Sequence, residues 1–422
     1  MVDQNLLQRR RQLLGPAYRL FYDEPLHLVR GQGVWLYDDQ GKAYLDAYNN
    51  VPVVGHCHPQ VVHALCTQAS ILNTHTRYLH DSVLEYAETL LATFPSPLGQ
   101  VMFTCTGSES NDLALRVARS VTKAKGVIVT RHAYHGVTQS TAELSPSLGA
   151  AYSQPDFVEL VTAPDPYRHG AETCQLFLLE VQGAIERLAQ RGIGVAAFMF
   201  DSILSSDGVL SDVTDALVQA AAAVKGAGGL LIADEVQAGF ARTGTHMWGF
   251  ERHGLMPDLV TLGKPMGNGH PMAGVVGKAD LFDQFGRECR YFNTFGGNPV
   301  SCAVGLAVMN VIQSEGLLQH TQLVGGALKA ALNELGQKHA LIGDVRGAGL
   351  FLGVELVEDK VNKTPATEQT AQIVNLMRHK GVLISGAGPR NNVLKIRPPL
   401  PFSIANTEQF IDALDASFNE LY

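Results

Sequence analysis

The sequence predicts an α/β fold: a large domain built on a mostly parallel central sheet, plus a smaller α+β domain. Two observations carry this. Short runs that are apolar throughout alternate with helical patterns over the first three quarters of the chain, as the fully buried strands of a parallel sheet do. Beyond about residue 310 the texture changes to a long helical pattern followed by fewer, more widely spaced strands. The boundaries predicted are 1–55 for an N-terminal segment of the small domain, 56–312 for the large domain and 313–422 for the C-terminal part of the small domain.

The elements follow in order. Gly33 to Asp46 reads as a β-hairpin, because two alternating runs flank the turn residues Asp38 to Gly41. The runs Gly126–Thr130, Val195–Phe200, Gly229–Ala233 and Leu259–Leu262 read as buried strands, with helical stretches such as Ser211 to Lys225 between them. Gly347 to Leu356 and Asn392 to Ile396 read as strands of the smaller unit. No low-complexity linker separates the two units, so they are expected to pack firmly.

With 422 residues, 46% hydrophobic and 17% charged, the chain can bury one large core and a smaller one. A formal net charge of −8, with no Lys/Arg stripe, gives no support to nucleic-acid binding and directs attention to a small-molecule ligand. No apolar run reaches the roughly 18 residues of a membrane helix. The start, MVDQNLLQRRRQLLG, lacks the apolar centre of a secretory signal, and Asp3 with scarce serine counts against a transit peptide. The expected setting is cytoplasmic. Six scattered cysteines form neither a zinc pattern nor a disulfide framework and are expected to be buried free thiols. His56 and His58 have the spacing of a metal pair, but no further ligands cluster near them, and no metal is expected.

In open α/β sheets, chemistry gathers at the carboxyl ends of the strands, and four ends carry informative residues. Thr106-Gly-Ser-Glu-Ser-Asn111 opens a helix whose first N–H groups can hold a phosphate; alone, it is equally an N-cap. Arg131-His-Ala-Tyr-His-Gly136 brings an aromatic ring and two imidazoles, and reads equally as a packed loop. Asp234 and Glu235 end the third strand, where a buried acid normally requires a cationic partner. Lys264 ends the fourth, between Gly263 and Pro265.

One cofactor needs these four groups together: pyridoxal 5'-phosphate. A lysine forms a Schiff base with its aldehyde, a carboxylate keeps the ring nitrogen protonated, an aromatic stacks on the ring and a helix N-terminus holds the phosphate. Nucleotide motifs fail by comparison. Asp258 stands where a phosphate-loop glycine belongs, Pro265 follows the lysine, and Gly347-Ala-Gly349 with Gly353 is misspaced and precedes a strand.

Three stretches, Ile232-Ala-Asp-Glu-Val-Gln-Ala-Gly-Phe-Ala-Arg-Thr-Gly244, Thr261-Leu-Gly-Lys264 and Thr294-Phe-Gly-Gly-Asn-Pro-Val300, resemble the class III aminotransferase family. The similarity extends from about residue 20 to the end. It implies the fold type I architecture of pyridoxal-phosphate enzymes and a homodimer or homotetramer with its active site at the subunit interface. By match to the family's motifs, Lys264 would be the Schiff-base lysine and Asp234 the partner of the ring nitrogen. Gln237 would lie near the ring hydroxyl, Tyr134 would stack on the ring, and Gly107 and Ser108 would hold the phosphate, joined by Thr294 from the neighbouring subunit.

The family includes transaminases and lyases, so departures from the transaminase pattern matter. Where transaminases commonly carry an arginine three residues before Pro-Pro, this chain has Lys395, with Arg397 two residues on. Asp201-Ser-Ile-Leu204 stands where Glu-Pro-Val-Gln is frequent. Asn49 to Pro59, Leu72 to Asp81, Tyr291 to Val304 and Thr364 to Glu368 are similar to the family's phospho-lyase branch. That similarity implies elimination of phosphate from a small phosphorylated amine, O-phosphoethanolamine, giving acetaldehyde, ammonia and phosphate. Arg77, Lys395 and the neutral donor Asn50 are the residues expected to bind the substrate. The alternatives are an ω-aminotransferase using a keto acid and a phospho-lyase acting on 5-phosphohydroxylysine.

Overall fold

The computed structural model describes residues 4–149 and 154–421; Asp3 lies outside them. The N-terminal hairpin forms as expected. Strands β1 (Leu28–Gln32), β2 (Trp35–Asp38) and β3 (Ala43–Asp46) make an antiparallel meander. The Asp38 carboxylate closes its turn by accepting the Gln40 and Lys42 N–H groups.

The large sheet has seven strands: β4 (Leu98–Thr104), β5 (Gly126–Thr130), β6 (Val158–Val161), β7 (Val195–Asp201), β8 (Leu230–Asp234), β9 (Leu259–Leu262) and β10 (Ala273–Lys278). Their order is β4-β10-β9-β8-β7-β5-β6. β5 to β9 pair in parallel, whereas β10 runs antiparallel to both β4 and β9. Residues of β5 and β9 are buried throughout, which explains why their sequences are apolar without alternation. The helix expected from Ser211 begins at Thr214, because the Ser211 hydroxyl is engaged by the Gly347 N–H.

The long helical pattern near residue 310 resolves into two helices, Pro299–Ser314 and Leu317–Lys338, meeting at 62°. Gly316, at φ +59°, makes the corner. Beyond them lie β11 (Ile342–Ala348), β12 (Phe351–Asp359), β13 (Thr364–Pro365), β14 (Val382–Leu383), β15 (Ser385–Ala387) and β16 (Val393–Ile396). The stretch Gly347 to Leu356, expected as one strand, is a hairpin turning at Gly349, whose φ is +55°. β14 pairs in parallel with β3, joining the N-terminal meander to this C-terminal region. The two largest of the four buried clusters among the described residues are separate. One lies around the seven-stranded sheet and includes Phe198, Phe200 and Trp248; the other contains Leu45, Leu328, Val354 and Phe410.

The six cysteines are free, but the expectation that they are buried fails for most of them. Only Cys302 is buried, while Cys57 and Cys66 are exposed at the Gly-His-Cys-His loop and the following helix.

Candidate active site

The carboxyl ends of β5, β7, β8 and β9 converge on one cavity with the N-terminus of the helix Gly107–Thr122. Gly107, Ser108, Asn111, Tyr134, His135, Gly136, Asp201, Asp234, Val236, Gln237 and Lys264 line it. The helix is begun by a capping box: Thr106 accepts the Glu109 N–H, and the Glu109 carboxylate accepts those of Cys105 and Thr106. The Gly107 and Ser108 N–H groups, which have no carbonyl partner within the helix, face the cavity with the positive end of the helix dipole. Ser108 Oγ accepts the Val137 N–H, leaving its own hydrogen to donate. A Cβ on Gly263 would sit 3.2 Å from Gly107 Cα, so the turn bearing Lys264 packs directly against this anion cradle.

Asp234 closes the opposite end. Its Oδ2 accepts from Asn111 Nδ2 at 2.8 Å and lies 2.7 Å from His135 Nδ1, while Oδ1 accepts the Val236 N–H. Asn111 is itself fixed, accepting from Thr261 Oγ1 and donating to the His135 carbonyl. Asn111 and His135 fall in stretches the sequence marks out, one of them as an imidazole after β5, but their roles were not legible there, since each acts on Asp234 from 123 and 99 residues away. The adjacent Glu235 departs from the expectation that a buried acid takes a cation. Its carboxylate accepts from Ser202 Oγ, Gly249 N and Phe250 N, and burial pushes its pKa up to about 7.

Lys264 lies between the two ends, its Nζ 6.0 Å from the centre of the Tyr134 ring. Burial, followed by the nearby Arg397 guanidinium, lowers its pKa, with Asp234 and Asp201 opposing. A lysine so placed exists more readily as the neutral amine that nucleophilic and base chemistry require. Tyr134 is pushed the other way, by burial and by the Asp234 charge.

Behind Gln237 of this lining lie β16 and its continuation. Lys395 and Arg397, two residues apart on an extended segment, share a face, and both are buried. Arg397 Nη1 donates to Gln237 Oε1 and Asn50 Oδ1, and its guanidinium packs 4.7 Å from the centre of the Tyr48 ring. Gln237 donates in turn to Ser205 Oγ. The amide of Gln237, expected near a ring hydroxyl, is therefore shared between Arg397 and Ser205. The Asn50 Nδ2 and Arg397 Nε atoms are buried without a hydrogen-bond partner among the described residues.

Four expected residues do not line this cavity in their own chain: Asn50 and Lys395 are buried behind it, and Arg77 and Thr294 lie apart from it. Arg77 is exposed and lies over the Phe292 ring at 3.8 Å. Thr294 is exposed on the same loop as Phe292. His56 and His58 also part company: His56 Nε2 meets Asp46 at 2.7 Å and His58 Nε2 meets Glu315 at 3.0 Å.

The donor set fits pyridoxal phosphate: an anion cradle at one end, a fixed carboxylate at the other, an amine between them and an aromatic face beside it. The comparison with known families agrees, with the model of aminotransferase class-III matching residues 21–418. The chain belongs to the class III aminotransferase family. Its fold is fold type I, and its cofactor is pyridoxal 5'-phosphate.

Relatives of this class III chain carry both kinds of name. A Drosophila melanogaster protein named alanine–glyoxylate aminotransferase 2-like is 42% identical, across 96% of this chain and 85% of its own length. The Caenorhabditis elegans ethanolamine-phosphate phospho-lyase homolog 1 is 40% identical, across 98% and 92%. Among solved structures, a phospholyase from Arthrobacter in complex with phosphoethanolamine is 44% identical, with a TM-score of 0.96 over 99% of this chain and all of that one. A Bacillus anthracis aminotransferase matches at 28% identity and a TM-score of 0.89, across 99% and 98%. The similarity to the phospho-lyase branch thus stands beside membership of the wider family.

Proposed function

We propose that this enzyme eliminates phosphate from O-phosphoethanolamine, giving acetaldehyde, ammonium and inorganic phosphate. The carrying observation is the pair of buried cations, Lys395 and Arg397, whose charges both act on Lys264 from behind the cavity lining. A phosphate ester is a dianion, and two cations in a water-poor pocket suit its binding and departure better than the single bidentate arginine that suits a carboxylate. The Arthrobacter phospholyase with phosphoethanolamine supports this reading.

When bound, pyridoxal phosphate supplies the aldehyde that engages amines and the protonated ring that draws electrons from the neighbouring carbon. Gly107, Ser108 and Thr294 of the neighbouring subunit hold its phosphate. Tyr134 packs on its ring, and Asp234, oriented by Asn111 and His135, holds the proton at the ring nitrogen. Lys264 would act as the base for the proton on the carbon bearing nitrogen. The bond from the next carbon to the ester oxygen then breaks, and the electron pair leaves with phosphate. One water converts the remaining two-carbon enamine to acetaldehyde and ammonium, so no keto acid and no oxidant enters.

Asn50 donates to the substrate phosphate alongside Lys395 and Arg397. Arg77 serves the site of the partner subunit in a homodimer or larger homo-oligomer, since it shares an exposed surface with the loop of Thr294. One observation favours a second reading: Arg397 behind the cavity lining is also placed to grip a carboxylate, as an ω-aminotransferase needs.

The deciding experiment measures phosphate release from phosphoethanolamine without keto acid, by the unaltered enzyme and by Lys264→Ala. Release that requires Lys264 and matches acetaldehyde mole for mole is the expected result. Alanine formed from pyruvate and an amine donor, with no phosphate released, would establish the aminotransferase instead.

A further inference from the structure

We propose that Lys395 is the proton donor to the departing phosphate, and not simply a charge that binds it. The inference rests on the lyase reading and deepens it. It starts from the leaving group. A dianionic phosphate ester that loses its carbon without a proton would depart as the phosphate trianion, the conjugate base of a very weak acid. The elimination therefore needs a proton delivered to the ester oxygen as the carbon–oxygen bond breaks.

Among the groups around the cavity, few can supply it. Lys264 is occupied as the base, and an arginine does not release its proton. Asp234 and His135 are bound to each other at the far end, and both oxygens of Asp201 are taken up by the backbone N–H groups of Ile203 and Ser205. Asn50 and Gln237 are amides, and Tyr134 has its pKa raised by burial and by Asp234. Lys395 remains. Its position on β16 opposite Gly353 of β12 and Ser385 of β15 is fixed by two antiparallel ladders. Its ammonium lies 5.4 Å from the centre of the Phe351 ring and makes no hydrogen bond among the described residues. The charged groups that act on it are Lys264 and Arg397, which disfavour its charge, and Asp201 and Asp207, which favour it.

This setting weakens the hold of Lys395 on its proton. Burial above all, then the two neighbouring cations, holds the Lys395 pKa well below the ordinary lysine value, while Asp201 and Asp207 oppose that loss of charge. Arrival of the substrate dianion favours the protonated form, so the lysine is charged when elimination starts. The proton then passes from Lys395 Nζ to the oxygen that leaves carbon, phosphate departs as its hydrogen dianion, and the lysine stays behind as the neutral amine. A proton from water restores it once phosphate has left. Asp207, which burial raises to about 7 and which accepts from Thr130 Oγ1 at 2.8 Å, is the nearby carboxyl able to hold a proton near neutrality.

The test compares two esters of ethanolamine that differ in their need for a proton. Sulfate departs readily as a dianion, so elimination from 2-aminoethyl sulfate requires no acid. Lys395→Met and Lys395→Arg holoenzymes are assayed on both, with the visible absorbance of the bound cofactor checking that each variant is folded and loaded. Both variants should lose about 10²- to 10⁴-fold in kcat for phosphoethanolamine, yet retain elimination from the sulfate ester. Lys395→Arg, which keeps the charge, should also keep the KM for phosphoethanolamine near that of the unaltered enzyme. In the unaltered enzyme, phosphate release should fall as pH rises through the pKa of Lys395 in the substrate complex, and sulfate release should lack that limb. Equal losses on both esters, or full activity of Lys395→Arg on phosphoethanolamine, would overturn the assignment alone. An unaltered enzyme that released no phosphate would overturn the lyase reading with it.

Discussion

At the scale of single residues, the site depends on side chains that touch no reacting atom. Asn111 links three elements by donating to Asp234 and to the His135 carbonyl and accepting from Thr261. In Asn111→Ala, Asp234 keeps His135 but loses one anchor, and the Thr261 hydroxyl loses its acceptor. Unmade buried hydrogen bonds cost about 1–3 kcal/mol, which corresponds to a roughly 5- to 150-fold weaker hold on the cofactor. Titrating the apo variant with pyridoxal phosphate and following its absorbance measures this directly; unchanged affinity would show that His135 alone orients Asp234. Lys264, Asp234 and the Gly107-Ser108 pair were legible in the sequence because each ends a strand or opens a helix, where local pattern is strong. The roles of Asn111, His135, Asp201 and Ser205 were not. Their importance comes from contacts such as His135 to Asp234, 99 residues apart, and no local pattern records such a pairing. Arg397 was visible on the same strand face as Lys395, but only its bonds to Gln237 and Asn50 place it behind the cavity lining.

Elements position these residues, and two backbones meet where the smaller unit joins the larger. The Leu317–Lys338 helix presents Gly325 to the β11–β12 turn, so that a Cβ there would overlap the Gly349 carbonyl. Gly349 in turn touches the backbone of Arg242 and Thr243, the Arg-Thr pair that follows β8. The buried Arg242 donates to the Leu350 and Pro398 carbonyls, fixing the start of β12 and the chain just beyond Arg397. Gly325→Ala should therefore destabilise the protein by about 1–3 kcal/mol through overpacking, read as a lower urea midpoint. It should also raise the KM for phosphoethanolamine, because the displaced turn carries Lys395 and Arg397 with it. A lower midpoint with unchanged KM would separate this contact from the site. The parallel strands could be read from sequence because buried strands are apolar throughout. β11 could not: Ile342–Ala348 alternates irregularly between buried and partly buried positions and contains Asp344 and Arg346. These two join Glu355 in a buried ion-pair network, which only the folded pairing of β11 with β12 reveals.

At the scale of the whole molecule, one set of loops exposes several large apolar side chains. Leu79 is 98% exposed, and Ile71, Tyr78 and Phe295 are each about two thirds exposed or more on the loops that also carry Arg77 and Thr294. Apolar groups gathered in this way mark an interface, and Arg77 leans onto it over Phe292. If a second copy covers this surface, Arg77 and Thr294 are delivered to the partner's cavity, and each active site is built from two chains. Subunit complementation tests the arrangement. Lys264→Ala and Arg77→Ala should each be nearly inactive alone. Mixed, unfolded and refolded together, they should form dimers in which the Lys264 of one chain meets the Arg77 of the other. Random pairing makes half of the dimers mixed, each with one intact site of two, so about a quarter of the unaltered activity should return. Arg77 acting within its own chain would return none, because every mixed dimer would then hold two broken sites. Full activity of Arg77→Ala by itself would remove that residue from the chemistry altogether. Leu79→Asp combined with Phe295→Asp should then abolish the recovery by holding the chains apart, with sedimentation showing a single-chain species and near-native circular dichroism.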